Sequence, residues 1–260
     1  MWSKLHLITL LPALVVFGLL AWLIGYLLRN KSEKIRMIPI QIIAIILIVL
    51  EIIKQVYCII DGYDLYAIPL HFCSLFLYLF PAMAFYNGKH KDSIRIWTLL
   101  SCMILFCGMM VGPTLIYGVG SLEGFATNLL SFHTVTYHNL VLFGLFLIIA
   151  LRLFKTNTKR DLLTILFGYL SYGIIAGSMA QILKTNFNNF YQSNIPFVEN
   201  IRLVVVENLG WFGQFLYVFI ITCAEMALAY ICYGAIKLGC LIYKKIKEKQ
   251  NKEKTVERQG

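Results

Sequence analysis

Apolar stretches long enough to cross a bilayer recur along the whole chain, and no other feature so restricts what it can fold into. A membrane's hydrocarbon core takes about 20 consecutive apolar residues of helix. A chain that is 59% hydrophobic and 14% charged is an integral membrane protein rather than a soluble globule. The fold class read from the sequence is all-α, a polytopic membrane helix bundle.

The runs divide into seven expected spans. The first is Leu5 to Leu28, with Pro12 and Gly18 inside it; it is too long for a signal peptide and lacks a small-residue cleavage site. The second is Met37 to Ile60 and the third Ile68 to Tyr86. The fourth is Ile94 to Tyr117, with Gly112-Pro113 kinking its outer end. The fifth is His133 to Phe154. The sixth is Leu162 to Leu183, whose Gly168, Gly173 and Gly177 let neighbouring helices come close. The seventh is Leu209 to Tyr233 or a little beyond.

Charge alternates between the loops. Arg29, Lys31, Lys34 and Arg36 fill the first, Lys89, Lys91 and Arg95 the third, and Arg152, Lys155, Lys159 and Arg160 the fifth. The second and fourth carry no base, and the long sixth mixes Lys184, Glu199, Arg202 and Glu207. Positive loops face the cytoplasm, so the N-terminus is expected outside and the tail inside, which an odd number of spans requires. Residues 1–243 then form one seven-helix transmembrane domain. Residues 244–260 form a basic cytoplasmic tail that reads as a solvated helix extension. The net charge of +10 suits anionic headgroups and makes membrane lipids the expected partner. No basic stripe with interleaved aromatics points to nucleic acid. The seven cysteines show neither loop-spaced disulfide pairs nor a metal knuckle, and each taken alone reads as a small buried side chain.

Ionisable groups inside spans are expensive and face the bundle interior, so they are candidates for function. Glu51 and Lys54 lie in the outer half of the second span, about 9–14 Å from its end at helical rise. They share a face with each other, and Gln55 stands four residues beyond Glu51. They read either as a packing pair or as a charge pair tuning a site. In Pro69-Leu70-His71-Phe72-Cys73-Ser74, a histidine and a cysteine enter the third span from outside; two apart on a helix, they point about 200° away from each other. His133 and His138 start the fifth span about 140° apart, which is not the i, i+4 clamp of a helical zinc site. Cys73 and His138 stand at similar depth on different helices, so a contact between them is geometrically allowed. Asn186, Asn188, Glu207, Asn208, Trp211, Gln214 and Tyr117 gather on the same side, whereas the cytoplasmic ends carry ordinary Lys and Arg anchors. Tyr117 and Asn188 are discounted as interface residues, and His6 and His90 as packing or loop residues.

Together these residues resemble the YwaF family of bacterial integral membrane proteins. The likeness rests on Glu51-Ile-Ile-Lys54-Gln55, Ile68-Pro-Leu-His71-Phe-Cys73-Ser74-Leu75, the histidine opening the fifth span, Thr185-Asn186-Phe187 with a later Pro196, and Gly210-Trp211. It covers nearly the whole chain apart from the ends. It departs at Phe187, where the family pattern has tyrosine, and at Phe212, where proline is common. That family is related to an animal transmembrane acyltransferase that moves fatty acyl chains between phospholipids with a cysteine and a histidine. The resemblance implies that Cys73 matches the cysteine and His138 the histidine, with His133 as the fallback.

Two functions are expected to compete. One is an enzyme for acyl transfer or hydrolysis on a membrane phospholipid, with Cys73 as nucleophile and His138 as general base. His71, Glu51, Lys54, His133, Asn186 and Trp211 would line or orient that pocket near the outer leaflet. The other is a non-enzymatic transporter or small-ligand sensor of the cell membrane using the same pocket. Neither requires a metal or another cofactor, and His71, Cys73, His133 and Glu51 are spaced poorly for a metal site.

Overall fold

The structure is a computed structural model and describes residues 2–193 and 195–257. All the regular elements among the described residues are helical. They are α1 (Lys4–Leu28), α2 (Glu33–Ile60), α3 (Leu75–Phe85), α4 (Lys91–Val111), α5 (Pro113–Tyr117), α6 (Leu129–Ala150), α7 (Thr158–Leu183) and α8 (Pro196–Glu257). Short 3₁₀ turns at Leu65–Ala67 and Phe187–Asn189 complete them. Among the described residues, six helices are long and apolar enough to cross a membrane: α1, α2, α4, α6, α7 and α8 over Pro196–Ile246.

Local chemistry sets several boundaries. Ser3 caps α1 by accepting the His6 N–H, and the His6 ring returns to the Ser3 backbone, a reciprocal capping box. Asn128 and Asn157 cap α6 and α7 through the N–H groups of Ser131 and Arg160. The expected kink at Gly112-Pro113 is a full break, with α4 ending at Val111 and α5 starting at Pro113.

Two expectations need correction. The third span was expected to be helical from Ile68, but only Leu75–Phe85 is α-helix. Its 11 residues rise about 16 Å, well short of a core about 30 Å thick. Pro69 has no N–H and pushes Ile68 into extended geometry (φ −58°, ψ 131°). The N–H groups of Ser74, Leu75, Phe76 and Leu77 then reach back three residues to His71, Phe72, Cys73 and Ser74. This is tight 3₁₀-like winding, so His71 and Cys73 do not sit on an α-helix. The long sixth loop was expected to carry no helix, but helix begins at Pro196; it breaks at Gly210 (φ 57°, ψ −136°), beside the expected start of the seventh span at Leu209, and continues from there to Glu257. A side chain at Gly210 would be strained, and the chain bends sharply enough that Arg202 Nη1 reaches Gln214 Oε1 at 2.8 Å.

Contacts between the helices set their directions. Gly25 of α1 meets Ala150 of α6, and Phe17 meets Phe143, so these two run parallel. Arg36 of α2 bonds Leu151 O while Glu51 approaches His133, so α2 runs against α6. Between α2 and α4 the chain travels from Gln55, which bonds Ala67 O, to Gln41, which bonds Ala84 O. α4 therefore starts beside the start of α2, where Arg95 pairs with Glu33 at 2.8 Å. Arg160 joins α7 to the same end through Asp92 of α4 (3.1 Å), while its neighbour Asp161 holds the guanidinium at 2.7 Å. The basic loops thus meet at one end of the bundle. More than half of the apolar stretch of α4 and α6 is buried, whereas α1 lies at the periphery. On α7, a Cβ on Gly173 would stand 2.3 Å from Thr222 Oγ1 and one on Gly177 2.6 Å from Val218 Cγ1, so these glycines seat α8.

Candidate functional site

The irregular segment 65–74 is held in the bundle by side chains that satisfy its carbonyls. Gln55 Nε2 donates to Ala67 O at 2.7 Å, the Tyr78 hydroxyl to Pro69 O at 3.3 Å and the Tyr172 hydroxyl to Leu70 O at 3.1 Å. His71 Nε2 lies 3.1 Å from Tyr66 O; a carbonyl only accepts, so Nε2 carries the proton. The His71 ring meets Tyr66 and Phe187 edge-on at 4.3 and 5.5 Å between centroids. Phe72 packs between Tyr169 and Tyr172.

Glu51 anchors the polar side. It is 6% exposed, and its Oε1 accepts from Lys54 Nζ and Gln55 Nε2, both at 2.7 Å. Its Oε2 stands 3.4 Å from His133 Nε2, a close approach without hydrogen-bond alignment. The Tyr63 hydroxyl donates to Gln55 Oε1 at 2.7 Å. Desolvation, then the charges of Cys58 and Glu51, raise the pKa of Tyr63 above the usual phenol value and keep it a donor.

Cys73 is half-buried as a residue with its thiol turned inward, and Lys54 and Glu51 are the charged side chains that act on that thiol. No hydrogen bond joins it to His138. His138 Nδ1 is 2.7 Å from Thr134 O and must donate, so its Nε2 presents a bare lone pair that is buried without a partner. Tyr137 links the two sides: its ring meets His133 at 5.4 Å and His138 at 5.9 Å, and its buried hydroxyl, close to the Leu77 backbone, lies within electrostatic reach of Cys73 and Glu51.

Of the other residues expected here, Asn186 accepts the Gln192 N–H through Oδ1 and shapes its own loop. Trp211 is 81% exposed and meets Phe212 edge-on, so it faces outward rather than lining the pocket. The site's own anchors, Glu51, Lys54, His133, His71 and Cys73, come from α2, α6 and the unwound segment.

Three residues carry more than their sequence positions suggested. Glu225, on α8, is half-buried, with one carboxylate oxygen taken by Asn188 Nδ2 and the other, Oε2, buried without a partner. A lone acid among the apolar residues of the seventh span is the same signal that singled out Glu51. Asn188 reaches it from a left-handed turn (φ 51°), which no local pattern announces. His6 is buried at 5% exposure and stacks on Tyr117, which meets His138 edge-on, each pair 6.0 Å apart. Because the Ser3 N–H donates to Nδ1, His6 carries its proton on Nε2, which is buried and unpartnered. The Ser3–His6 cap spacing was the available clue. Among the described residues, no three His, Cys, Asp or Glu side chains gather as metal ligands.

An α-helical bundle of six long apolar helices, with an unwound segment and a buried charge cluster among them, is a multi-pass membrane protein with an internal polar site. The chain belongs to the TMEM164 family, whose model matches residues 1–234. No curated protein and no solved structure matches it.

Proposed function

We propose that this protein is a cysteine-dependent acyltransferase or hydrolase acting on phospholipids of the cell membrane, within the YwaF-like branch its motifs resemble. Cys73 is the nucleophile and His138 the general base. The observation that carries this reading is the unwound segment: non-helical backbone at membrane depth is tolerated only where protein buries it or it lines a cavity. Here it carries Cys73, a half-buried residue within electrostatic reach of Lys54 and Glu51. His138 supports the reading with its free Nε2 lone pair and its opposite nitrogen tied to Thr134.

His138 and Cys73 draw together on substrate binding, and His138 takes the thiol proton. The thiolate attacks the ester carbonyl carbon, the bond from that carbon to the glycerol oxygen breaks, and the lysophospholipid leaves with the proton. The acyl group is then a thioester on Cys73. An acceptor hydroxyl gives its proton to His138, attacks the thioester and restores the thiol; water in that place yields a free fatty acid. The chain makes seven passes, N-terminus outside, with the partly helical segment 65–85 as the third.

Wild-type protein in nanodiscs, given a phospholipid with a labelled acyl chain, is expected to carry a hydroxylamine-sensitive label on Cys73. The label disappears in Cys73→Ser and His138→Ala. An unlabelled wild type that still binds the lipid would sink the nucleophile assignment. The second reading, a carrier or sensor, is favoured by Glu225, whose Oε2 is buried without a partner. It requires activity that survives Cys73→Ala and fails with changes at Glu51 or Lys54.

A further inference from the structure

At the end of the bundle where the basic loops meet, α1, α2 and α6 enclose a cleft of about 430 Å³ that the reading above does not use. Arg29, Arg36 and Arg152 line it together with Trp22, Gly25 and Tyr26. Along α2, Arg36 is about 22 Å from Glu51, so this is a separate place from the Cys73 site.

The arginines of the described chain divide into two groups. Arg95, Arg160 and Arg202 each pair with a carboxylate. Arg29, Arg36 and Arg152 do not, and these are the three that line the cleft. Their partners are neutral. Arg29 lies over the Tyr26 ring at 4.3 Å, Arg36 donates to Leu151 O at 2.8 Å, and Arg152 donates to the Tyr243 hydroxyl at 3.2 Å. Arg36 Nε is buried with no acceptor. The carboxyl ends of α1 and α6 supply about one negative charge between them. With the amino end of α2 adding about half a positive charge to the three guanidiniums, about two and a half positive charges stay uncompensated beside a space large enough for a headgroup.

Arg152 also occupies an unfavourable backbone position. It closes α6 in a Schellman turn, with its N–H on Ile149 O and the Leu153 N–H on Ile148 O, both 3.1 Å. That turn calls for a left-handed residue, normally glycine, and Arg152 adopts φ 52°. Lys184 closes α7 in the same left-handed conformation (φ 51°), so the turn accepts a non-glycine residue, and glycine at 152 would keep the turn while removing the guanidinium. Trp22 and Tyr26 stack at 6.0 Å and are 64% and 51% exposed, the pattern of a headgroup-level aromatic belt. Gly25 sets the width: a Cβ there would stand 2.9 Å from Ala150 O, so glycine alone lets α1 approach α6 this closely.

We infer that this cleft is a binding site for a phosphate-bearing anion, with guanidinium forks from three segments converging on its oxygens. The same chemistry fits the phosphodiester of an anionic phospholipid and free phosphate.

Full-length protein in detergent is titrated with dioleoyl phosphatidylglycerol or dioleoyl phosphatidylcholine, and retained lipid is read by native mass spectrometry. Phosphatidylglycerol is expected to bind at least about tenfold more tightly, the scale of one charge-assisted hydrogen bond. Arg29→Gln and Arg152→Gly each remove about that preference. Arg152→Gly is the decisive variant, since glycine suits its backbone and its melting temperature should not fall. Lys31→Gln in the same loop and Lys34→Gln in the first turn of α2, both outside the cleft lining, leave the preference intact. Inorganic phosphate is added as competitor: displacement identifies a solution anion and failure to displace identifies the lipid, and either supports the site. Equal binding of the two lipids, or equal losses from the lysine and arginine variants, would overturn it by reducing the effect to diffuse attraction.

Discussion

Glu51 illustrates how much one intramembrane residue can hold. Its carboxylate neutralises Lys54, accepts Gln55 and faces His133, and through Gln55 it reaches the backbone of Ala67. Removing one member of a buried pair leaves the other charge without compensation, which costs about 3 kcal/mol or more. Glu51→Gln is therefore expected to lower the thermal stability of nanodisc-embedded protein by that order. Removing both charges, in Glu51→Gln with Lys54→Met, should restore most of the loss. A double variant no more stable than the single one would show that the pair's charge is not what the fold depends on. At the same scale His133 and His138 diverge, one toward Glu51 and the other toward the Thr134 carbonyl. Their five-residue spacing made that divergence readable in advance. The partnerships themselves were not readable, because each depends on a residue of another segment.

The element that matters most is the unwound stretch ahead of α3. A membrane helix satisfies its own carbonyls, so an irregular segment needs outside donors. Gln55, Tyr78 and Tyr172 supply them. Tyr172→Phe leaves Leu70 O without its donor and is expected to cost about 1–3 kcal/mol. It should also reduce thioester formation at Cys73, because α7 would no longer hold the segment that carries the thiol. A variant with normal stability and normal labelling would remove α7 from this account. Proline at 69 was a visible warning against a helix starting at Ile68. The length of the interruption was not visible, because the apolar run continues unbroken through it.

For the whole molecule, the decisive question is whether the segment between α2 and α4 crosses the membrane. In a cysteine-free background, Asp64→Cys and Lys89→Cys are placed at its two ends. An impermeant maleimide is expected to label position 64 in right-side-out vesicles and position 89 only after permeabilisation. Labelling of both from one side would mean that the segment turns back, giving six crossings. The gathering of Arg36, Arg95, Arg152 and Arg160 at one end of the bundle favours the crossing.

The sequence by itself determined that this chain is a membrane helix bundle, where most of its long helices lie, which end is basic, and that Glu51 and Lys54 share a face. Apolar length, loop charge and helical spacing are local properties, written in consecutive residues. Tertiary structure alone decided that Asn188 meets Glu225, that His6 is buried against Tyr117, that Trp211 faces outward, and that three unpaired arginines share one cleft. Those outcomes depend on which distant segments meet, and a residue's own neighbourhood in the chain holds no record of a partner contributed by another helix.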